Sequence, residues 1–79
     1  MKDVRKVRRD HARLLKNLEF LQRLYTAKAL ALCIGVNPTT WGRKMKEPWR
    51  AFSYDDFHII AAYCNIPLEN LFFSELGVK

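Results

Sequence analysis

A chain of 79 residues, 49% of them hydrophobic, has the size and composition of one small domain that folds around a single core without metal or disulfide support. Its formal net charge of +6 is unevenly divided: residues 1–25 carry eight Lys/Arg against three Asp/Glu, residues 26–50 carry five against one, and residues 51–78 carry four acids and no Lys or Arg. A polyanion is therefore expected to approach the first two-thirds of the chain and to be repelled by the last third.

The cysteine and histidine content argues against a secreted, metal-binding or catalytic protein. Cys33 and Cys64 lie within apolar helical patterns, and the charged N-terminus lacks the apolar run of a secretory signal. We expect reduced core thiols and a cytoplasmic location, with no membrane span. His11 and His58 lack metal-ligand spacing with each other or with the cysteines, so we predict no metal and no cofactor. No serine pairs with a histidine in a catalytic motif, and we expect no enzymatic activity.

The first predicted helix runs from about Val4 to Leu24. Its apolar residues recur with a helical period at Leu14, Leu18, Leu21 and Tyr25. The first turns contain few apolar residues to anchor them, so residues 1–9 are expected to fray into a basic arm.

Two short helices are predicted next, separated by a turn of about three residues. Thr26 is the expected N-cap of the second helix, and Gly35 is expected to end it with a left-handed conformation. Asn37 and Pro38 mark the start of the third helix, because Asn caps a helix and Pro occupies its first position without losing a useful N–H. The third helix extends to Met45.

Residues 46–52 contain a proline and no helical periodicity, so we predict a loop there. Ser53 is the expected N-cap of the fourth helix, with Asp56 completing a weak capping box. Phe52 and Phe57 are placed for a hydrophobic staple across this start. The fourth helix is therefore strongly specified at its beginning.

The fourth helix is predicted to end at Asn65, and Pro67 is predicted to open a short fifth helix. No repeat, low-complexity run or interdomain linker divides the sequence. The sequence thus predicts a single all-α domain of five helices.

Two segments carry a resemblance to a known family. Residues 26–46, TAKALALCIGVNPTTWGRKMK, resemble the helix-turn-helix of the phage lambda repressor and Cro-like family. The positions that match its apolar, small and turn-glycine pattern are Leu30, Ala31, Ile34, Gly35, Val36 and Trp41. Residues 60–72, IAAYCNIPLENLF, resemble the closing segment of the same fold, and the likeness covers roughly residues 14–73.

The resemblance implies a lambda-repressor-like DNA-binding domain with its helix-turn-helix at helices two and three. The implied function is that of a sequence-specific, double-stranded-DNA-binding transcriptional regulator, a phage or prophage repressor or Cro-like protein, that inserts helix three in the major groove. Such regulators bind a palindromic operator as dimers, so we expect a homodimer. The apolar tail residues Phe73, Leu76 and Val78 either complete the core or form the dimer contact.

Recognition of DNA needs hydrogen-bond donors at the start of helix three and positive charge around it. The predicted base contacts are Thr39, Thr40 and Arg43. Arg43 is favoured because its planar guanidinium can bind guanine O6 and N7 together; a solvated arginine or a phosphate clamp is the alternative. The predicted phosphate contacts are Lys28, Asn37, Lys44, Lys46 and Arg50.

Several positions depart from the family pattern. Ala27 stands where a phosphate-binding Gln is common, and Lys44 stands where an apolar residue is usual, so Met45 is expected to take over that packing. Gly42 inside helix three costs about 1 kcal/mol relative to Ala. It reflects either a weak point in a short helix or a close approach of the backbone to DNA.

The two tryptophans are expected to differ. Trp41 falls on the inward face of helix three and is predicted to lie in the core. Trp49 either packs under the loop or lies against the DNA backbone, and packing is favoured because large aromatic side chains are mostly buried.

Two rival functions remain open. The same fold can serve as a protein-interaction module of the antitoxin or co-repressor type, holding a protein partner, and the departures at Ala27, Pro38 and Gly42 leave room for it. The basic first helix can also bind nucleic acid or anionic membrane without sequence preference.

Overall fold

The computed structural model describes residues 4–74 and 76, with side chains from His11 onward except that of residue 75. Over these residues the chain is helical and contains no strand. The helices are α1 (Val4–Tyr25), α2 (Ala27–Cys33), α3 (Pro38–Lys44), α4 (Pro48–Ala51), α5 (Tyr54–Cys64) and α6 (Asn70–Phe73). The predicted all-α class is confirmed, but the described part of the chain contains six helices where five were expected.

Helix α1 supplies one side of the core. Leu14, Leu18 and Leu21 lie on one face of this helix and are 2%, 0% and 3% exposed. The other buried members of the same core come from α2, α3, α5 and α6, and from Phe52 between α4 and α5. From these four helices they are Leu30, Ala31, Trp41, Phe57, Ile60, Ala61, Cys64 and Leu71. The helix begins at Val4. The expected fraying of residues 1–9 stays a prediction, and residues 1–3 lie outside the described part.

One residue connects α1 to α2. Thr26 accepts a hydrogen bond from the Ala29 N–H through its side-chain oxygen at 3.1 Å, which confirms the predicted N-cap. Its backbone has φ 76° and ψ 149°, a region that β-branched residues rarely adopt. Because Thr26 alone must turn the chain between two helices, it carries strain of about 1–3 kcal/mol.

The turn between α2 and α3 follows the prediction closely. Gly35 has φ +79°, and the Val36 N–H donates to the Ala31 carbonyl at 2.9 Å, which closes the end of α2. Asn37 then caps α3, its Oδ1 accepting from the Thr40 N–H at 2.8 Å, and Pro38 occupies the first turn. Local sequence signals therefore fix both ends of the turn.

The prediction of a loop over residues 46–52 is wrong in its middle. Pro48–Ala51 forms one helical turn, α4, in which the Ala51 N–H donates to the Glu47 carbonyl at 3.0 Å. Trp49 holds this turn against α1 by stacking on His11, with ring centroids 4.3 Å apart and planes 2° from parallel. Packing of Trp49, the favoured alternative, is thus confirmed. One turn is too short to show a helical period, so the pattern could not reveal it.

The start of α5 is a complete capping box. The Ser53 N–H donates to Asp56 Oδ2 at 3.0 Å, and the Asp56 N–H donates to Ser53 Oγ at 3.1 Å. The rings of Phe52 and Phe57 lie 5.7 Å apart, as the predicted staple requires. Asn65 ends α5 in the left-handed conformation, with φ 58°.

The last helix begins later than predicted. Pro67 opens two tight turns, in which the Asn70 N–H donates to the Pro67 carbonyl and the Leu71 N–H donates to the Leu68 carbonyl. These bonds span three residues, the spacing of a 3₁₀ turn, so α6 begins at Asn70.

A buried asparagine ties this end of the chain to α1. Asn17 is 2% exposed, and its Nδ2 donates to the carbonyls of Leu71 at 2.9 Å, Ser74 at 2.6 Å and Asn70 at 3.3 Å. Its Oδ1 accepts from the Leu76 N–H at 3.0 Å. The sequence pattern gave no sign of this role.

The two described tail residues differ in their burial. Leu76 packs against the core, whereas Phe73 is 70% exposed. Val78 lies outside the described residues.

Candidate nucleic-acid interface

The exposed face of α3 brings together residues that recur every three or four positions. Thr39, Gly42, Arg43 and Lys46 are all exposed, and Trp41 points to the opposite side. On a helix, residues at this spacing share one face. Thr39, Gly42 and Arg43 lie within α3, whereas Lys46 lies in the turn after it, where its N–H donates to the Arg43 carbonyl at 3.3 Å. We call this set of four residues the α3 face.

Two contacts on the inner side fix the rotation of α3. Trp41 is 1% exposed, and its Nε1–H donates to Gln22 Oε1 on α1 at 2.7 Å. The Trp41 ring also packs at 5.1 Å from the ring of Phe52. Met45 packs against the core beside it, as predicted. The α3 face therefore points outward in a defined direction.

The three predicted base contacts do not share one environment. Thr39 and Arg43 are exposed on the α3 face. Thr40 is half-buried, and its backbone N–H is occupied by the Asn37 cap. Thr39 and Arg43 are thus placed to reach a ligand, while Thr40 lies nearer the body of the protein.

Three of the predicted phosphate contacts are exposed near this face. Lys46 lies on the α3 face itself, and Lys28 lies on the exposed side of α2, the helix that packs against α3. Asn37 is exposed, but its Oδ1 is engaged as the helix cap, which leaves its amide N–H groups as donors.

The other two phosphate candidates already have partners within the protein. The Lys44 ammonium donates to the Ala51 carbonyl at 2.9 Å and lies 5.7 Å from the centre of the Phe52 ring. It thereby satisfies a carbonyl at the end of α4. Arg50 is exposed and pairs with Glu47 at 3.4 Å, a surface ion pair of small energetic weight.

The stretch of chain that contains the α3 face carries little negative charge. Residues 20–54 include a single acidic residue, Glu47, and its carboxylate is paired with Arg50. Just beyond this stretch, Asp55 is exposed in the first turn of α5, and Asp56 is committed to the capping box of that helix. A negatively charged ligand at α3 therefore meets cations with few competing carboxylates.

The metal-ligating side chains and the two thiols are the other chemically active groups among the described residues. No three His, Cys, Asp or Glu side chains in that part of the chain are arranged to hold a metal ion. Cys33 and Cys64 are free thiols. Burial raises the pKa of both, that of Cys64 to about 11, with smaller contributions from Asp56 at Cys33 and from Cys33 at Cys64. Both therefore resist ionisation at neutral pH. Helix α1 and its described companions are too short or too polar to cross a bilayer.

Three side chains that position the site escaped the sequence pattern. Gln22 orients Trp41, His11 stacks on Trp49, and Lys44 holds the end of α4. Each acts on a residue of another helix, and no local signal identifies such a partner.

Comparison with protein-family profiles, with characterised proteins and with solved structures finds no match to this chain. The structure by itself defines a small all-α domain that presents a polar, basic helix face.

Proposed function

We propose that this protein is a sequence-specific, double-stranded-DNA-binding transcriptional regulator of the lambda-repressor or Cro-like type. The observation that carries the proposal is the α3 face, which presents Thr39 and Arg43 from a helix held to the core by Trp41, with Lys46 in the turn that follows. The major groove of DNA admits an α-helix. In a helix-turn-helix, one helix enters the groove and the helix before it supports it, and in this protein those roles would fall to α3 and α2.

The roles follow from chemistry and exposure. Arg43 hydrogen-bonds a base edge, most favourably the O6 and N7 atoms of guanine, and Thr39 adds a hydroxyl beside it. Lys46 and Lys28 bind phosphates and set the position of the helix on the duplex. With so few side chains available to read bases, part of the specificity comes from the shape of the DNA.

We further propose that the protein acts as a homodimer on a palindromic operator. Helix α3 has seven residues and reads few base pairs, so two copies spaced by one helical turn of DNA give a longer site. Residues 51–78 contain four acids and no Lys or Arg, which suits them to the side that faces away from DNA. Phe73, 70% exposed, offers an apolar contact there. Sedimentation that finds a monomer at every concentration, with and without operator DNA, would contradict this.

Selection from random duplex DNA tests the main proposal. The expected result is a palindromic consensus whose binding loses sequence preference in Arg43→Ala. Lys16→Ala is the control, because Lys16 is an exposed cation on α1 and its loss should leave the preference intact. Failure to obtain any consensus at moderate salt would refute sequence-specific regulation.

The exposed apolar side chains support a second candidate, a protein-interaction module of the antitoxin or co-repressor type. Among the side chains that the structure describes, six large hydrophobic ones are between 41% and 70% exposed: Leu24, Leu32, Tyr54, Ile59, Tyr63 and Phe73. Such a module would bind duplex DNA weakly in the selection above. Non-specific binding by α1 would instead give a steep dependence on salt without a consensus.

A further inference from the structure

Gly42 lies in the middle of α3, and no contact or backbone conformation in the described part of the protein requires a glycine there. It is exposed, and a Cβ built on its backbone meets no described atom within 4 Å. Its φ is not in the positive range; among the described glycines only Gly35 has that conformation. Neither packing nor backbone geometry therefore requires glycine at position 42.

A glycine within a short helix is a disadvantage to folding. Glycine is among the poorest helix formers, because it loses the most backbone freedom when the helix forms. Helix α3 has only seven residues, so each one contributes noticeably to its formation. Alanine would fit the space and favour the helix.

The position of Gly42 on the α3 face suggests what the missing side chain accommodates. Thr39 lies three residues before it, Lys46 lies four residues after it, and Arg43 is its neighbour. The longer side chains around Gly42 leave a notch in the face. Because Trp41 is held by Gln22, this notch cannot turn toward the core.

We propose that Gly42 is the point of closest approach between α3 and duplex DNA, and that it sets the depth at which Arg43 and Thr39 reach the base edges. The inference rests on the proposed DNA-binding function. A Cβ projects about 1.5 Å from the backbone. A helix displaced outward by that distance would lengthen a hydrogen bond of about 2.9 Å beyond its effective range.

The test is a comparison of stability and affinity in one set of variants, using the full chain and the duplex selected by the wild-type protein. Gly42→Ala should raise the thermal midpoint by about 4–8 °C. The same variant should bind the selected duplex about 10- to 100-fold more weakly, as expected when a base contact is lost. Gly42→Val should bind more weakly still. Ala12→Val, at an exposed position of α1, is the matched control and should leave affinity unchanged.

Three other results would refute the role of Gly42, and they differ in what they imply for DNA binding. If Gly42→Ala is more stable and binds as well as wild type, the role of Gly42 is refuted, while loss of preference in Arg43→Ala still supports DNA binding. If Gly42→Ala lowers the thermal midpoint, the fold itself needs the glycine and the inference is also refuted. If wild-type protein selects no duplex, the proposed function fails and this inference fails with it.

Discussion

Replacing Asn17 with alanine is expected to lower the free energy of unfolding by about 2–4 kcal/mol. The Asn17 side chain makes two close donor contacts, to the Leu71 and Ser74 carbonyls at 2.9 and 2.6 Å, and accepts one bond from the Leu76 N–H at 3.0 Å. Each such bond contributes a net of about 0.5–1.5 kcal/mol. A domain of 79 residues is stabilised by only about 4–12 kcal/mol in total, so this loss is large.

The substitution Asn17→Asp separates the donor role from the volume of the side chain. A carboxylate has nearly the same shape, but it directs oxygen toward carbonyl oxygens and cannot donate. It should therefore be more destabilising than alanine at neutral pH. Protonation of the introduced carboxyl restores one donor, so part of the loss should be recovered as the pH falls toward 4.

Denaturant unfolding followed by circular dichroism measures these changes, and hydrogen exchange locates them at α6. Lys16→Ala, at an exposed position one residue earlier in α1, should change stability by less than about 0.5 kcal/mol. If Asn17→Ala were as stable as this control, the contacts between Asn17 and the C-terminal segment would not hold that segment in place.

Three further predictions address the connection between helices, the thiols and the cations. Thr26→Gly should stabilise the protein by about 1 kcal/mol, because glycine relieves the backbone strain. Thr26→Ala loses the cap and keeps the strain, so it should destabilise the protein by a similar amount. Thermal melts in which both variants are less stable than wild type would contradict the presence of strain at this position. The pKa of Cys64 is raised from 9.0 to about 11, so its contribution to stability is fully present below pH 9 and is lost as the pH rises toward 11; Cys64→Ala should show a shallower alkaline decline in pH-dependent unfolding. Lys44→Met should cost about 1 kcal/mol of stability and leave the salt dependence of DNA binding unchanged, while Lys46→Ala should leave stability intact and reduce the salt slope by about 1. The opposite pattern in titrations at several salt concentrations would show that Lys44 is the phosphate contact.

The boundaries that the sequence predicted correctly depend on interactions within four residues. Thr26 and Asn37 cap their helices through N–H groups three residues ahead, and Ser53 does the same at α5. Gly35 and Asn65 take the left-handed conformations expected at helix ends. Such interactions join residues that are close together in the sequence, so a single sequence is enough to predict them.

The same local logic explains the two errors in the helix assignment. Helix α4 is a single turn whose anchor is the stack of Trp49 on His11, and residues 46–52 alone carry no sign of that contact. The delayed start of α6 depends on two tight turns after Pro67. Short elements of this kind are held by tertiary packing more than by their own propensity.

The candidate site likewise combines features that the sequence determines with features that only the tertiary structure determines. The sequence predicted Thr39, Thr40 and Arg43 together as base contacts; the four-residue interval between Thr39 and Arg43 places those two on one face of an α-helix, whereas Thr40 is half-buried. Only the tertiary structure decided which way that face points, through the hydrogen bond between Trp41 and Gln22, 19 residues apart. It also decided that Lys44, identical in charge to Lys46, donates its ammonium hydrogen bond to the Ala51 carbonyl of α4. Charge and periodicity are properties of the chain, whereas exposure and the choice of hydrogen-bond partner arise only when distant segments pack together.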